Sequence, residues 1–196
     1  MRVLHLTNST VSSRTIYDTL NEKNWTYVKH TAPPDFLELE VNYDLVIKDR
    51  YPFRLSNEFL EDNKVLTWIP SILPCATGRN TIIKSYLAGL PIGGTIFFIK
   101  SNDYLVDVLK KLEINVNPEI DTLKTVYDRI VFQVMEELSK ELGRIIEDQN
   151  KKILASFEKI DPIITDEFLE KSDMSLVLVN GYDTRLVELN NICYEK

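Results

Sequence analysis

Short apolar runs alternate with amphipathic stretches over the first hundred residues of the chain. Five runs predict β-strands by their length and β-branched content: 2–7, 25–30, 43–48, 64–68 and 94–100. Apolar residues at helical spacing predict helices between them, at about 13–20, 56–62 and 80–88. Ser12 or Ser13 can cap the first helix. This alternation predicts an α/β fold with a largely parallel, three-layer sheet, whose ligands bind at the carboxyl ends of the strands.

One long helix is predicted after Glu119. Its apolar stripe is Ile120, Leu123, Val126, Ile130, Val134, Leu138, Leu142 and Ile145. We expect this stripe to cover the sheet, with Gly143 as a candidate break. The residues beyond 150 predict a C-terminal extension with a β-hairpin that turns at Asn180–Gly181. Residues 1–150 are therefore expected to form one domain, and residues 151–196 an extension packed on it.

Charge and composition exclude several classes of protein. The net charge is −7, and Lys and Arg are scattered, so we expect no nucleic-acid partner. The cluster Lys48–Arg50 is interpreted as solvated surface. No apolar run approaches the roughly 20 residues that span a membrane, and the start of the chain is too polar for a signal peptide. We therefore expect a cytoplasmic protein without a membrane partner.

Metal and disulfide sites are not indicated either. Cys75 and Cys193 are the only cysteines and are far apart, and His5 and His30 are the only histidines. A zinc site needs about four ligands and a disulfide framework needs more cysteines. We therefore expect no metal.

Four segments follow one another along the chain: YDLVIKDRYPFRLSNEFLE, KVLTWIPSILPCATGRN, TIIKSYLAGLPIGGTIFFI and LEINVNPEIDTLKTVYDRI. In this order they resemble the catalytic domain of the formyltransferases that use 10-formyltetrahydrofolate. The second is similar to the family's catalytic loop, N-x-H-P-S-L-L-P. The resemblance implies a Rossmann-like three-layer formyltransferase fold. Its sheet is mostly parallel with an antiparallel strand, and it has a long C-terminal helix and a small β tail.

The positions that carry the family's chemistry are altered. The family uses an Asn and a His two residues apart to stabilise the oxyanion, and an Asp after a later strand. Here Thr67 stands for the Asn and Ile69 for the His. Thr67 keeps a hydroxyl donor, whereas isoleucine has no polar atom. Asp103 corresponds to the Asp, with Asp107 as the second choice. Both are equally consistent with caps of a helix over about 102–112.

The resemblance also implies where ligands bind. 10-Formyltetrahydrofolate would lie against Phe53, Arg54, Leu55 and Ile99, although plain packing of a proline-containing loop explains these residues equally well. Ser12, Ser13 and Arg14 can meet a substrate phosphate at a helix amino terminus, or they can simply begin that helix. The loop lacks the family's phosphate-binding glycines, which argues against glycinamide ribonucleotide as acceptor. The acidic charge argues against transfer RNA.

Three functions stay open. The first is a diverged formyltransferase that acts on a primary amine of a small molecule, such as a nucleotide-linked amino sugar. The second is a catalytically inactive relative that binds a ligand or a protein. The third is another transfer reaction at a site rebuilt around Thr67, Asp103 and Arg79. The sequence leaves the oligomeric state open.

Overall fold

The computed structural model describes residues 1–22, 24–33, 43–147, 157–170, 178 and 180–191. Seven strands form one sheet in the order β2-β1-β3-β4-β5-β6-β7. The strands are β1 (Arg2–Thr7), β2 (Thr26–His30), β3 (Leu45–Asp49), β4 (Val65–Ile69), β5 (Gly93–Ser101), β6 (Leu105–Glu113) and β7 (Glu158–Lys159). The helices are α1 (Thr10–Asn21), α2 (Asn57–Asp62), α3 (Thr81–Leu87), α4 (Leu123–Glu147) and α5 (Glu167–Glu170). The five strands predicted from the sequence are confirmed, and they share this sheet.

The first four strands are parallel, and the direction reverses at β5. Strand β1 pairs in parallel with β2 and β3, and β3 pairs in parallel with β4. At the start of β5, an added Cβ on Gly94 would lie 3.6 Å from the Ile69 carbonyl at the end of β4. At its other end, Lys100 Nζ donates to the Asn63 carbonyl just before β4. Strand β5 therefore runs antiparallel to β4, as predicted.

The two faces of the parallel strands carry different helices. Alternation puts His5 and Tyr27 on one face, where Tyr17 of α1 packs edge-on against Tyr27 with ring centroids 5.5 Å apart. The opposite face is apolar and packs with Phe59 and Leu60 of α2. The cluster on that face comprises Leu4, Leu6, Val46, Tyr51, Leu55, Leu60 and Val65. Together, α1 and α2 make the parallel half a three-layer structure.

Helix α4 presents the predicted apolar stripe, except that Ile120 lies outside the helix and Ile145 is only half-buried. Leu123, Val126, Ile130, Val134, Leu138 and Leu142 are all buried. Ile120 precedes the helix and is 71% exposed, so its inclusion in the stripe was wrong. The helix also continues through Gly143, so the candidate break is not present. A Cβ added at Gly143 would meet nothing within 4 Å.

Two other predictions are wrong. Residues 105–113 form strand β6 instead of a helix, because the connection of three residues after β5 produces a tight turn and returns the chain to the sheet. Asn180–Gly181 is not a hairpin tip: Gly181–Asp183 and Leu186–Asn191 form 3₁₀ helices instead. Gly181 has a positive φ, but the hydrogen bond from Leu186 N–H to the Asp121 carbonyl draws the following residues toward the start of α4. Residues 171–177 and 179 lie outside the described part.

Close contacts divide the chain into two compact units. The first comprises Met1–Trp68, Ile96–Leu109 and Met135–Lys159. The second comprises Ile69–Thr95, Lys110–Val134 and Ile160–Lys196. The predicted division at residue 150 stays a prediction. Among the described helices, none combines the length and apolar character needed to cross a membrane.

Candidate functional site

Polar side chains gather in the first unit where β1, β3 and β4 end. In the register of these strands, Thr7 lies beside Asp49, and Lys48 lies beside Thr67. Because neighbouring residues on a strand face opposite ways, Asp49 is on the α1 face, whereas Lys48 and Thr67 are on the α2 face. The carboxyl ends of parallel strands are where ligands of such sheets bind. This edge is therefore the candidate site.

Asp49 anchors the α1 side of the edge. Its carboxylate is fully buried and accepts hydrogen bonds from Thr7 Oγ1 at 3.1 Å and from Trp68 Nε1 at 2.7 Å. Arg50 Nε lies 3.4 Å from the same carboxylate, and the Arg50 guanidinium also donates to Ser9. The solvated surface predicted for Lys48–Arg50 is therefore wrong for Asp49, whereas Lys48 is half-buried and Arg50 is exposed. Lys48 and Asp49 end strand β3, which is largely buried. The hydrogen bonds to Asp49 compensate for the loss of water around its carboxylate.

His5 lies beneath Asp49 on the same face. Its Nδ1 is 2.9 Å from the Tyr27 hydroxyl, and its Nε2 is 3.9 Å from Asp49 Oδ2. Burial lowers the pKa of His5 from 6.5 to about 4; Asp49 opposes this shift, while Lys29 and Arg50 add to it. The imidazole is therefore neutral at neutral pH. The same burial raises the pKa of Tyr27.

Thr67, the counterpart of the family's Asn, lies on the other face. Its hydroxyl donates to the Lys48 carbonyl at 2.8 Å, and the residue is 9% exposed. Lys48 Nζ donates to the Tyr51 carbonyl at 3.3 Å, beyond the end of β3. Burial lowers the pKa of Lys48, and the charge of Asp49 partly restores it.

Asp103 lies in the turn between β5 and β6. The residue is exposed, and its backbone N–H donates to Ser101 Oγ at 3.0 Å. The neighbouring Asn102 fastens this turn, because its side-chain amide donates to the Leu55 carbonyl at 2.9 Å. In the described part of the chain, no hydrogen bond joins Asp103 to Thr67. Asp107 lies half-buried on β6, where burial and, to a smaller extent, the charge of Glu158 raise its pKa.

The residues predicted to hold a folate differ in their availability. Phe53 is half-buried, and its ring packs edge-on against Tyr51 with centroids 5.2 Å apart. Ile99 also packs against the apolar cluster of the α2 face and is half-buried. Leu55 is buried in that cluster, and Arg54 is exposed. Phe53 and Ile99 are thus the apolar side chains that a planar ligand can reach.

The predicted substrate residues belong to both compact units, and their grouping stays a prediction. Helix α1 begins at Thr10, so Ser12 and Ser13 lie inside its first turn and the prediction that either caps it is wrong. The Ser13 hydroxyl instead donates to the Ser9 carbonyl four residues back. The side chain of Ser12 lies outside the described part. Arg79 is exposed and belongs to the second unit.

The loop after β4 is held by a buried lysine in the second unit. Lys84 is 1% exposed, and its Nζ donates to the Thr77 carbonyl at 2.6 Å and to Asp166 Oδ1 at 2.8 Å. Asp166 also accepts from the Arg79 backbone N–H at 2.8 Å. The Lys84 ammonium is the main cause that lowers the pKa of Asp166. In the described ranges, no group of three or more His, Cys, Asp or Glu is placed to hold a metal ion.

Sequence reasoning gave no role to Lys48, Asp49 or Trp68. The signal was present, since Lys48 and Asp49 end the apolar run LVIKD at the edge where ligands bind. A charged pair that ends a buried strand differs from a charged cluster in a loop. Treating the three residues 48–50 as one cluster concealed that difference.

Solved structures with this fold include formyltransferases. One is the formyltransferase PseJ of Anoxybacillus kamchatkensis, solved with UDP-4,6-dideoxy-4-formamido-L-AltNAc and tetrahydrofolate. It matches with a TM-score of 0.73 and 22% identity over 96% of this chain and 97% of that one. A 4-N formyltransferase of Francisella tularensis matches with a TM-score of 0.66 and 17% identity over 85% of this chain and 76% of that one.

A methionyl-tRNA formyltransferase of Clostridium thermocellum matches with a TM-score of 0.63 and 12% identity over 84% of this chain and 71% of that one. The sequence itself matches no protein-family model and no curated protein. Likeness at these identities concerns the fold. The predicted resemblance is confirmed at that level: the chain has the formyltransferase fold.

Proposed function

We propose that this protein transfers a formyl group from a folate to the primary amine of a small molecule, such as a nucleotide-linked amino sugar. The match to PseJ carries this proposal. It extends over 96% of this chain and 97% of that one, and the PseJ structure holds both a nucleotide-linked formamido sugar and tetrahydrofolate. The shared fold thus covers nearly the whole of both chains. The cytoplasmic location stays a prediction.

The loop after β3 offers some of the groups that would bind a folate. A pterin is planar, and it needs apolar side chains against its faces and backbone groups at its edge. Phe53 and Ile99 supply half-buried apolar surface on one cluster. The Leu55 carbonyl accepts from Asn102 and keeps a second lone pair, so this carbonyl and other backbone groups of the loop can meet the ring edge. 10-Formyltetrahydrofolate would supply the formyl carbon at this site.

Formyl transfer needs a hydrogen-bond donor for the formyl oxygen and a route for the proton that the acceptor amine loses. The acceptor amine forms a C–N bond as the bond between the formyl carbon and the folate nitrogen breaks, and the proton that the amine loses ends on that nitrogen. Negative charge develops on the formyl oxygen, and a hydrogen-bond donor within about 3 Å stabilises it. In the family pattern Thr67 is the counterpart of the donor, and we assign proton transfer to Asp103. Their positions in the family pattern support these roles.

One observation favours a second candidate, a protein that binds the ligands without transferring the formyl group. A hydroxyl has a single proton, and Thr67 gives it to the Lys48 carbonyl at 2.8 Å. Thr67 must turn away from that carbonyl before it can donate to a ligand. Ile69 adds no donor. Loss of one such donor costs about 10²–10³ in kcat in a well-studied enzyme.

Calorimetry and a transfer assay separate the two candidates. Tetrahydrofolate and a UDP-linked formamido sugar are titrated into the protein, and formyl transfer to a panel of UDP-linked amino sugars is followed by mass spectrometry. Binding with turnover supports the enzyme. Binding of both ligands without turnover supports the second candidate, and absence of binding contradicts both.

A matched pair of variants locates the folate. Phe53→Ala is expected to weaken tetrahydrofolate binding about tenfold or more, because it removes the reachable aromatic ring. Phe59→Ala removes a ring from the same cluster, but within α2. Equal weakening in both variants would mean that the loop after β3 is not the folate site.

A further inference from the structure

Lys48 is a charged side chain on an apolar face of the sheet. In the register of the strands it lies between Leu6 of β1 and Thr67 of β4. Leu6 belongs to the apolar cluster that α2 covers. Nothing in the packing of a parallel strand requires a lysine there, and an aliphatic residue fits better. The position therefore needs another explanation.

The ammonium of Lys48 extends toward the carboxyl edge of the sheet. Its Nζ donates to the carbonyl of Tyr51, a residue that follows β3. Ligands of parallel sheets bind at this edge. An ammonium has three donors, and the Tyr51 carbonyl is the partner of Nζ within the described ranges. Two donors thus remain for a ligand beside Thr67.

Within the described residues, the ammonium of Lys48 has no carboxylate partner on its own face of the sheet. Asp49 is next in sequence, but its carboxylate is turned to the opposite face, where Thr7 and Trp68 donate to it. No described Asp or Glu lies within salt-bridge distance of Lys48. A lysine that merely extends to water would leave its head exposed, yet burial lowers the pKa of Lys48. A partly dehydrated, unpaired cation attracts negative charge more strongly than a solvated one.

We propose that Lys48 is the catalytic cation of this protein, and that its Nζ donates to the formyl oxygen beside Thr67. This inference rests on the proposed function. The ammonium would stabilise the charge that develops on that oxygen, as the family's amide and imidazole do. Thr67 keeps its bond to the Lys48 carbonyl and thereby orients the strand that presents the cation. The site then needs no donor at residue 69.

The test measures preference for the formyl oxygen as well as rate. A stable 10-formyl analogue of folate and the same analogue without its formyl group are titrated into native protein, Lys48→Met, Lys48→Arg and the control Lys64→Met. Lys64 is an exposed lysine that precedes β4. A hydrogen bond to a charged group contributes about 1.5–3 kcal/mol, so native protein and the control should prefer the formylated analogue by roughly 10–100-fold.

Lys48→Met should lose this preference, while its affinity for the unformylated analogue changes little. Lys48→Arg should retain part of it, because arginine keeps the charge. A merely structural role would weaken both analogues equally. Where native protein turns over, Lys48→Met should lower kcat about 10²–10³-fold. Thermal unfolding of each variant checks that it folds.

The outcomes separate this inference from the proposed function. A preference that survives in Lys48→Met, or that native protein never shows, overturns the role of Lys48 and leaves folate binding intact. If native protein binds neither analogue, the proposed function fails and the role of Lys48 fails with it. Loss of preference in Lys48→Met alone supports the inference.

Discussion

The imidazole of His5 lies 3.9 Å from the carboxylate of Asp49, and both side chains are fully buried. This distance is too long for a hydrogen bond, and His5 Nε2 has no hydrogen-bond partner in the described part of the chain. Asp49 instead takes its hydrogen bonds from Thr7 and Trp68. The pair therefore consists of a neutral histidine beside a carboxylate that other groups satisfy.

The charge state of His5 predicts how stability depends on pH. Its pKa is about 4 in the folded protein against 6.5 for an ordinary histidine. The unfolded chain thus binds more protons below pH 6.5, so stability falls as the pH drops from about 6.5 to 4. The full shift corresponds to about 3 kcal/mol. Urea unfolding at pH 7.5 and at pH 4.5 measures this loss.

His5→Asn provides the comparison, because asparagine does not titrate. We expect the variant to be less stable than native protein at pH 7.5, and the difference to shrink by about 2–3 kcal/mol at pH 4.5. The remaining titratable groups are the same in both proteins, so their contributions to the difference in stability cancel. An unchanged difference between the two pH values would show that His5 does not titrate abnormally.

The buried Lys84 predicts an asymmetry between two substitutions. Asp166→Ala removes a partner but leaves the Lys84 charge inside the second unit, which costs about 3–5 kcal/mol when a pair is fully buried. The Asp166 side chain is 55% exposed, so water compensates part of this and we expect about 1–3 kcal/mol. Lys84→Met removes the charge with little change of volume and should cost less. Urea unfolding measures both.

The double variant is the control for this asymmetry. With Met at position 84, Asp166→Ala should cost little more than the loss of its bond to the Arg79 backbone N–H. The two effects are then non-additive, as expected of groups in direct contact. Additive effects would mean that the bond from Lys84 to Asp166 contributes nothing to stability.

The sequence predicted the strands better than the site. Runs such as LVIKD and GTIFFIK are strands because their apolar side chains are buried, and local composition records that burial. The antiparallel direction of β5 came from the resemblance rather than from the pattern. The periodicity of apolar residues along the chain carries no information on the direction of a strand or on which strand lies beside it.

The tertiary partners of polar residues were not predictable in the same way. Asp49 is buried because Thr7, from a distant part of the chain, and Trp68 donate to it. The helix predicted over 102–112 is strand β6, because pairing with the sheet overrides a weak local preference. Lys48 was interpreted as solvated for the same reason: its surroundings are set by strand register.

Two glycines should respond oppositely to alanine. A Cβ on Gly94 would lie 2.6 Å from Val134 Cγ2 and 3.1 Å from Ile130 Cγ2, so Gly94→Ala should cost about 1–3 kcal/mol by overpacking. A Cβ on Gly143 would meet nothing within 4 Å, and the residue is inside α4. Gly143→Ala should therefore stabilise the protein by about 0.5–1 kcal/mol. Urea unfolding of the two variants checks both signs. A stabilising Gly94→Ala would show that α4 does not pack on the start of β5.

The altered catalytic loop predicts little or no formyl transfer to glycinamide ribonucleotide or to methionyl-tRNA. Ile69 has no donor for the oxyanion, and the Thr67 hydroxyl donates to the Lys48 carbonyl. The chain also lacks a glycine-rich phosphate loop after β1, and its net charge is −7, which disfavours a nucleic-acid acceptor. Turnover with each acceptor and a formyl-folate is measured for native protein. It should not measurably exceed the reaction without enzyme, because the chain lacks the phosphate loop and the basic surface that these two acceptors need.

The double variant Thr67→Asn with Ile69→His restores the family's amide and imidazole at both positions. With a UDP-linked amino sugar as acceptor, this variant should exceed native protein in kcat if the loop alone limits the rate. Thr67→Asn by itself should not, because an amide without the imidazole restores only one of the family's two groups that stabilise the oxyanion. Robust turnover of native protein with either standard acceptor would contradict the prediction. It would show that neither acceptor needs the phosphate loop or the basic surface that this chain lacks.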